Sequence, residues 1–268
     1  MVDGMTTSFA GKVALVAGAS KGIGEVTARA FASAGAAVVL AARDEEAIGR
    51  VADAIRADGG RALAVRTDVG DAESVENLVA QAMAEFGRLD AAFNNATDGP
   101  MRTPLADIDP EGFDRAIRTN IRGTFLGMKY QIKAMLASGG GTIVNMASRA
   151  GIQGVANLAG YVAGKAGIIG LTKVAALDYA DQGIRVNVVA PGPILTYHLE
   201  AAGEQAQKLA GESTPMRRIG QSQEVADAVL WLCSAESSFI TGATIPIDGG
   251  QLAGDKPPRM YRQGEEMQ

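Results

Sequence analysis

Lys12-Val13-Ala14-Leu15-Val16-Ala17-Gly18-Ala19-Ser20-Lys21-Gly22-Ile23-Gly24 decides the fold. Its first half is an apolar run of strand length and its second half a glycine cluster; a helical pattern then continues through Ala34. Glycine permits backbone conformations and close approaches that a Cβ forbids. Backbone N–H groups and a helix N-terminus can therefore come up against a pyrophosphate. The spacing is Gly-x-x-x-Gly-x-Gly, not the Gly-x-Gly-x-x-Gly of the common dinucleotide fingerprint. Gly35 closes the helix before a second apolar run, Ala36 to Ala42, and that placement directly after the first strand favours the phosphate reading.

Working outward, strand-like runs recur at Ala62 to Arg66, Leu89 to Asn94, Thr142 to Ala147, Arg185 to Ala190 and Ala243 to Ile247, with helix-like stretches between them. Alternating β and α predicts an α/β fold: a Rossmann-type, doubly wound, seven-stranded parallel sheet with helices on both faces. It occupies a single domain over 11–250, with an N-terminal extension at 1–10 and a C-terminal tail at 251–268. In such folds ligands lie beyond the carboxyl ends of the strands.

Tyr161 and Lys165 are four residues apart, a spacing that stacks a phenol and an ammonium on one helix face. A cation beside a phenol favours phenolate, which brings Tyr161 toward working pH and suits it to proton transfer.

Together these residues resemble the single-domain branch of the short-chain dehydrogenase/reductase family, similar to its 3-oxoacyl-ACP reductases and glucose 1-dehydrogenase-like members. The matching segments are Gly18 to Gly24, Asp68-Val69, Asn94-Asn95-Ala96, Asn120, Ser148, Tyr161 to Lys165, Pro191 to Thr196 and Asp248-Gly249-Gly250, which span nearly the whole chain. The resemblance implies NAD(P)-dependent interconversion of a secondary alcohol and a ketone, with a small-molecule alcohol or carbonyl as substrate. Tyr161 would be the acid/base, Ser148 would orient the reacting oxygen, and Lys165 would bind the nicotinamide ribose and depress the Tyr161 pKa. Asn120 would hold a water connecting Lys165 to solvent. Gly18, Ser20, Lys21, Gly22, Ile23 and Gly24 would cradle the phosphates, Asp68 and Val69 would meet the adenine, and Asn95 the ribose. Ile194 and Thr196 would serve the nicotinamide end. The family's range leaves 3-oxoacyl, sugar and steroid substrates undivided. A catalytically silent dinucleotide-binding sensor or scaffold is the alternative, against which the intact Asn120, Ser148, Tyr161 and Lys165 set stands.

Three positions depart from the family pattern: Ala17 for threonine, Thr97 for glycine, and Gly164 for serine. The last is expected to open space at a subunit contact. For the cofactor, the end of the second strand is informative, because an acid there accepts the ribose hydroxyls of NAD and an arginine accommodates the 2′-phosphate of NADP. Ala42 stands where the acid is expected and Arg43 follows it, so Arg43 with Lys21 predicts NADP(H) in preference to NAD(H). Asp44, about 20 residues after the loop's last glycine, stands near the position of a ribose-binding acid, but it is read instead as a helix N-cap.

With 268 residues and 47% hydrophobic content the chain can bury one sizeable core. A net charge of −5 gives no electrostatic case for nucleic acid or an anionic membrane. Cys233 is alone, so no internal disulfide forms. The N-terminus lacks the build of a signal peptide, and no apolar run reaches membrane-spanning length, so a cytoplasmic location is the default. The only histidine, His198, cannot make a metal site by itself and is read as pocket rim or surface. Tyr197 through Pro215 reads as a helical, mobile flap. The helices around Gly112 to Ala137 and Leu158 to Asp181 resemble those that pair subunits in the family's dimers and tetramers. The tail after Gly250 is either disordered or draped over a neighbouring subunit.

Overall fold

Residues 8–99 and 102–254 are described by a computed structural model. Within them seven strands run parallel: β1 (Val13–Ala17), β2 (Ala37–Ala42), β3 (Arg61–Arg66), β4 (Ala91–Asn94), β5 (Gly141–Met146), β6 (Ile184–Pro191) and β7 (Thr244–Ile247). Their spatial order is β3-β2-β1-β4-β5-β6-β7. The chain winds outward one way from β1 to β3 and the other way from β4 to β7. The reversal between β1 and β4 opens the crevice where a doubly wound sheet binds its ligand.

The alternation along β1 divides the core. Val13, Leu15 and Ala17 face one layer, packed with Leu78 of α3 (Ala72–Phe86), Leu126 and Met135 of α5 (Gly123–Ala137), and Ala175 of α6 (Ala159–Tyr179). Ala14 and Val16 face the other, with Phe31 of α1 (Gly22–Ser33), Ile48 of α2 (Glu45–Ala57) and Val229 of α9 (Ser222–Cys233). Period-two burial on both faces is why the strands read as continuous apolar runs. Asp44 caps α2 by accepting the Ala47 N–H at 3.0 Å, as its position predicts. Gly35, at φ +95°, ends α1.

The flap region forms α7 (Tyr197–Ala201) and α8 (Glu204–Glu212), and α4 (Pro110–Ile117) precedes a π-turn at Arg118–Arg122. Among the described residues no helix is long and apolar enough to cross a membrane, and no cluster of His, Cys, Asp or Glu could hold a metal ion. The side chain of His198 and the tail at 255–268 lie outside the described residues. Cys233 keeps some exposure as a residue. Its sulfur nonetheless sits deep enough that burial pushes the thiol up to about 12, against the pull of Arg185, which suits a structural side chain.

A buried polar network ties the middle of the sheet to its helices. Asn94 donates to Gln131 Oε1 and to Asn145 Oδ1, both at 2.9 Å, and Gln131 donates back to Asn94 Oδ1 at 2.8 Å. Asn145 donates in turn to Thr172 Oγ1 at 2.9 Å. Gly127 lets α5 come this close, since a Cβ there would lie 2.7 Å from Asn94 Oδ1. Asn145→Leu should lower the unfolding free energy by about 2–4 kcal/mol, because it orphans buried partners on β4 and α6. Urea unfolding checks this; a loss below about 0.5 kcal/mol would mean the network does not hold the sheet.

Candidate active site

All the residues expected at the site follow the carboxyl ends of strands or lie on helices at that edge. After β1, Gly18 adopts φ +79° and donates its N–H to the Ala41 carbonyl at 2.7 Å. A Cβ on Gly24 would run into the Gly18 carbonyl oxygen, and one on Gly18 would lie 2.8 Å from the Ala96 backbone. Asn95 closes the turn by donating from Nδ2 to Gly18 O at 3.0 Å. The result is a helix start, flanked by Ser20, Lys21, Gly22 and Ile23, pressed against the strand end with no side chain in the way. That cradle fits a dinucleotide pyrophosphate. Lys21 lies over the Tyr197 ring of α7, 4.4 Å from its centroid, and Gly22 faces Thr196.

Two turns further along the sheet edge, Ser148 follows β5 and caps the short 3₁₀ turn Arg149–Gly151 by accepting the Ala150 N–H at 3.2 Å. Gly151 lets that turn rest on α6, for a Cβ there would meet the Lys165 backbone at 2.7 Å. Ser148 thereby comes near enough to Tyr161 to act on its phenol. Tyr161 is half-buried as a residue, its hydroxyl end being the enclosed part. Burial pushes the phenol up and the nearby Ser148 pulls it partly back, so its net shift is upward. This is opposite to the depression expected from Lys165, because the phenol's own burial dominates. Lys165 is 1% exposed, donates to the Met146 carbonyl at 3.0 Å, and stands 5.6 Å from the Tyr161 ring centroid. Burial holds its amine down to about 7, so it is only partly charged near neutrality.

Asn120 sits fully buried in the π-turn. Its Nδ2 donates to the Ala116 carbonyl at 3.0 Å and its Oδ1 accepts the Thr97 hydroxyl at 2.9 Å. The threonine that departs from the family pattern thus holds the asparagine carboxamide. Gly164 faces Asn120 within the chain, where a Cβ would lie 2.9 Å from Asn120 Cβ. The space it opens serves this internal contact, not the subunit contact expected from sequence.

At the far end of the crevice Asp68 follows β3. Partial burial pushes its carboxyl up, but the Gly70 N–H and Arg118, with the field of Arg43, hold it below the ordinary value. Arg43 is exposed after β2, and Val69 packs against Gly123. Lys21 and Arg43, expected to share one phosphate, each have a separate neighbour: Tyr197 for the first and Asp68 for the second. Ile194 is buried and bridges to Gly220 beneath the flap. The contacts of Gly151 and Arg118 carry no local sequence signal.

The family model described as enoyl-(acyl carrier protein) reductase matches residues 18–251. The A-factor type γ-butyrolactone 1′-reductase of Streptomyces virginiae is 43% identical over 243 residues, 89% of this chain and 95% of its own. Cyclohexanol dehydrogenase of Acinetobacter sp. is 43% identical over 245 residues, 91% of this chain and 96% of its own. The crystal structure of a short-chain type dehydrogenase/reductase from Mycobacterium marinum, 37% identical, covers 92% of this chain and 98% of that one with a TM-score of 0.87.

The lysine burial has a thermodynamic signature. Unfolded, the amine keeps its proton up to about 10.5; folded, only up to about 7. Between those values the unfolded chain binds the extra proton, so this group makes stability rise with pH across the window, and its penalty is fullest below pH 7. Lys165→Met should therefore raise Tm at pH 6 and raise it less at pH 9.5, the penalty removed being on the order of a few kcal/mol. Equal Tm shifts at the two pH values would show that the amine is not desolvated.

Proposed function

The chain belongs to the short-chain dehydrogenase/reductase family, an NAD(P)-dependent oxidoreductase family that interconverts alcohols and carbonyls, and from that premise we propose the roles of its own residues. Tyr161 is the acid/base. The observation that carries this is the Tyr161 ring 5.6 Å from the buried Lys165 amine, with the Ser148 turn resting on the same helix. A phenol kept protonated by burial is a proton donor to a carbonyl oxygen on which charge develops. Ser148 orients that oxygen by hydrogen bonding. Lys165 holds the nicotinamide ribose, and Asn120, fixed by Thr97 and Ala116, steadies a water beside it.

The nicotinamide cofactor supplies or takes the hydride. Gly18 to Gly24 receive its phosphates, Asn95 and Lys165 its ribose groups, Asp68 and Val69 its adenine, and Ile194 and Thr196 its nicotinamide end. NADP(H) is the preferred form, supported by Arg43 after β2 and by Asp44, whose carboxylate is engaged in capping α2. For substrate we choose a ring-borne secondary alcohol or its ketone, supported by the likeness to cyclohexanol dehydrogenase. The setting is cytoplasmic, supported by the lone structural cysteine.

The protein assembles as a homodimer or homotetramer through α5 and α6, on which Phe125, Val174 and Leu177 are exposed. Light scattering of Leu177→Glu should show a smaller assembly than wild type; a monomeric wild type would remove this part of the reading.

Assays with cyclohexanone and NADPH or NADH, and with cyclohexanol and the oxidised cofactors, follow nicotinamide absorbance. Tyr161→Phe should lower kcat/KM by about 10²-fold or more with cofactor affinity retained. Near-wild-type turnover would reject the donor assignment, and a clear preference for NADH would reject the Arg43 argument. Silence with every substrate, with cofactor binding shown separately, would favour a dinucleotide-binding sensor.

A further inference from the structure

The π-turn at Arg118–Arg122 is wedged between the Asp68 loop and the helix that carries Tyr161 and Lys165. Glycines make it tight on both sides. Toward the loop, a Cβ on Gly70 would lie 2.8 Å from Arg118 Cζ, and one on Gly123 would lie 2.9 Å from Val69 Cγ2. Toward α6, a Cβ on Gly164 would lie 2.9 Å from Asn120 Cβ, and one on Gly167 would lie 2.8 Å from Ile121 Cδ1. Polar contacts strengthen the loop side: Arg118 Nη2 donates to Asp68 Oδ2 at 2.9 Å, Nη1 reaches Oδ1 at 3.5 Å, and Arg122 Nε donates to Gly70 O at 3.1 Å.

Two features set the Arg118–Asp68 pair apart from a structural brace. Its side chains are 48% and 38% exposed, and so exposed a pair adds little to stability. Its anchor is also a π-turn, a helix segment wound one residue wide, a form concentrated at functional sites. Here Asn120 satisfies the Ala116 carbonyl through its side chain. Tightening that turn by one residue gives a second discrete arrangement, which is what coupling between two sites requires.

We propose that Arg118 is a positioning residue whose pairing with Asp68 passes occupancy of the adenine end of the dinucleotide site through the π-turn to Asn120. This rests on the dinucleotide reading above. A donor arriving from the adenine edge would compete for the carboxylate oxygens that Arg118 holds, the 3.5 Å contact being the one most easily given up. With Gly123 packed on Val69, and Gly164 and Gly167 seating Asn120 and Ile121 on α6, a shift of the guanidinium is carried to Asn120 and the α6 surface beneath it.

Hydrogen exchange with 5′-AMP and 2′,5′-ADP, the adenosine halves of NAD and NADP, tests this without turnover. In the wild-type protein the bound fragment should slow amide exchange about threefold or more at 118–123 as well as at 68–70. In Arg118→Met, with the fragment still bound by calorimetry, protection should persist at 68–70 and vanish at 118–123. Arg118→Lys, which keeps the charge but not the two-armed grip, should fall between and covers the case in which the methionine variant does not fold. An arginine with only a structural role would speed exchange at 118–123 equally with and without fragment. That result overturns the proposal, as does wild-type protection confined to 68–70 or full protection at 118–123 in Arg118→Met. Failure of both fragments to bind the wild-type protein would remove the dinucleotide reading itself.

Discussion

The burial of one amine organises this molecule. Lys165 is 1% exposed, with a hydrogen bond to the Met146 carbonyl. Taking an ammonium out of water is costly, and the fold offsets the cost partly by letting the amine lose its proton near neutrality. A methionine would fill a similar volume without that cost. Keeping the lysine makes sense only if something in the crevice uses a primary amine at that depth. Its neighbours follow from the same need: β5 ends where its carbonyl can receive the amine, and the Ser148 turn lies flat on α6 because Gly151 has no Cβ to lift it.

Close approach bought with glycine recurs across the edge where the strands end. Gly18 and Gly24 bring α1 against β1, Gly127 brings α5 against Asn94, and Gly164 and Gly167 seat the π-turn on α6. Each removes a side chain where two backbones, or a backbone and a polar group, need to meet. The helical glycines carry a propensity cost of about 1 kcal/mol each relative to alanine. They return it as close packing that helps fix Asn120 and the Ser148 turn against α6.

What could be read from sequence was what is local or periodic. The five central strands were legible because two-faced burial writes them as apolar runs, the edge strands β3 and β7 being only partly buried, and Asp44 as a cap because its acceptor lies only three residues from the donor. The Tyr161–Lys165 spacing was legible for the same reason, as helix geometry alone brings the two together. Contacts between distant segments were not. The Arg118–Asp68 pair spans fifty residues, and the Gly151–Lys165 contact depends on how a loop falls. The Thr97–Asn120 bond could be flagged only as a departure from pattern. The direction of the Tyr161 shift was misread because spacing reports that a cation is near but not how deeply the phenol itself is buried.

The adenosine end follows the same distinction between proximity and availability. Asp44 stands near the position of a ribose-binding acid, but one of its oxygens is committed to the Ala47 N–H, and withdrawing it would uncap α2 at a cost of about 1 kcal/mol. Ala42 offers no acceptor. Arg43 is exposed and stands near enough to Asp68 to lower its carboxyl, so a cation faces the end of β2 with its charge already felt across the crevice. An anionic group there would meet the Arg43 charge, whereas a ribose hydroxyl pair would share the Asp44 carboxylate with the α2 cap.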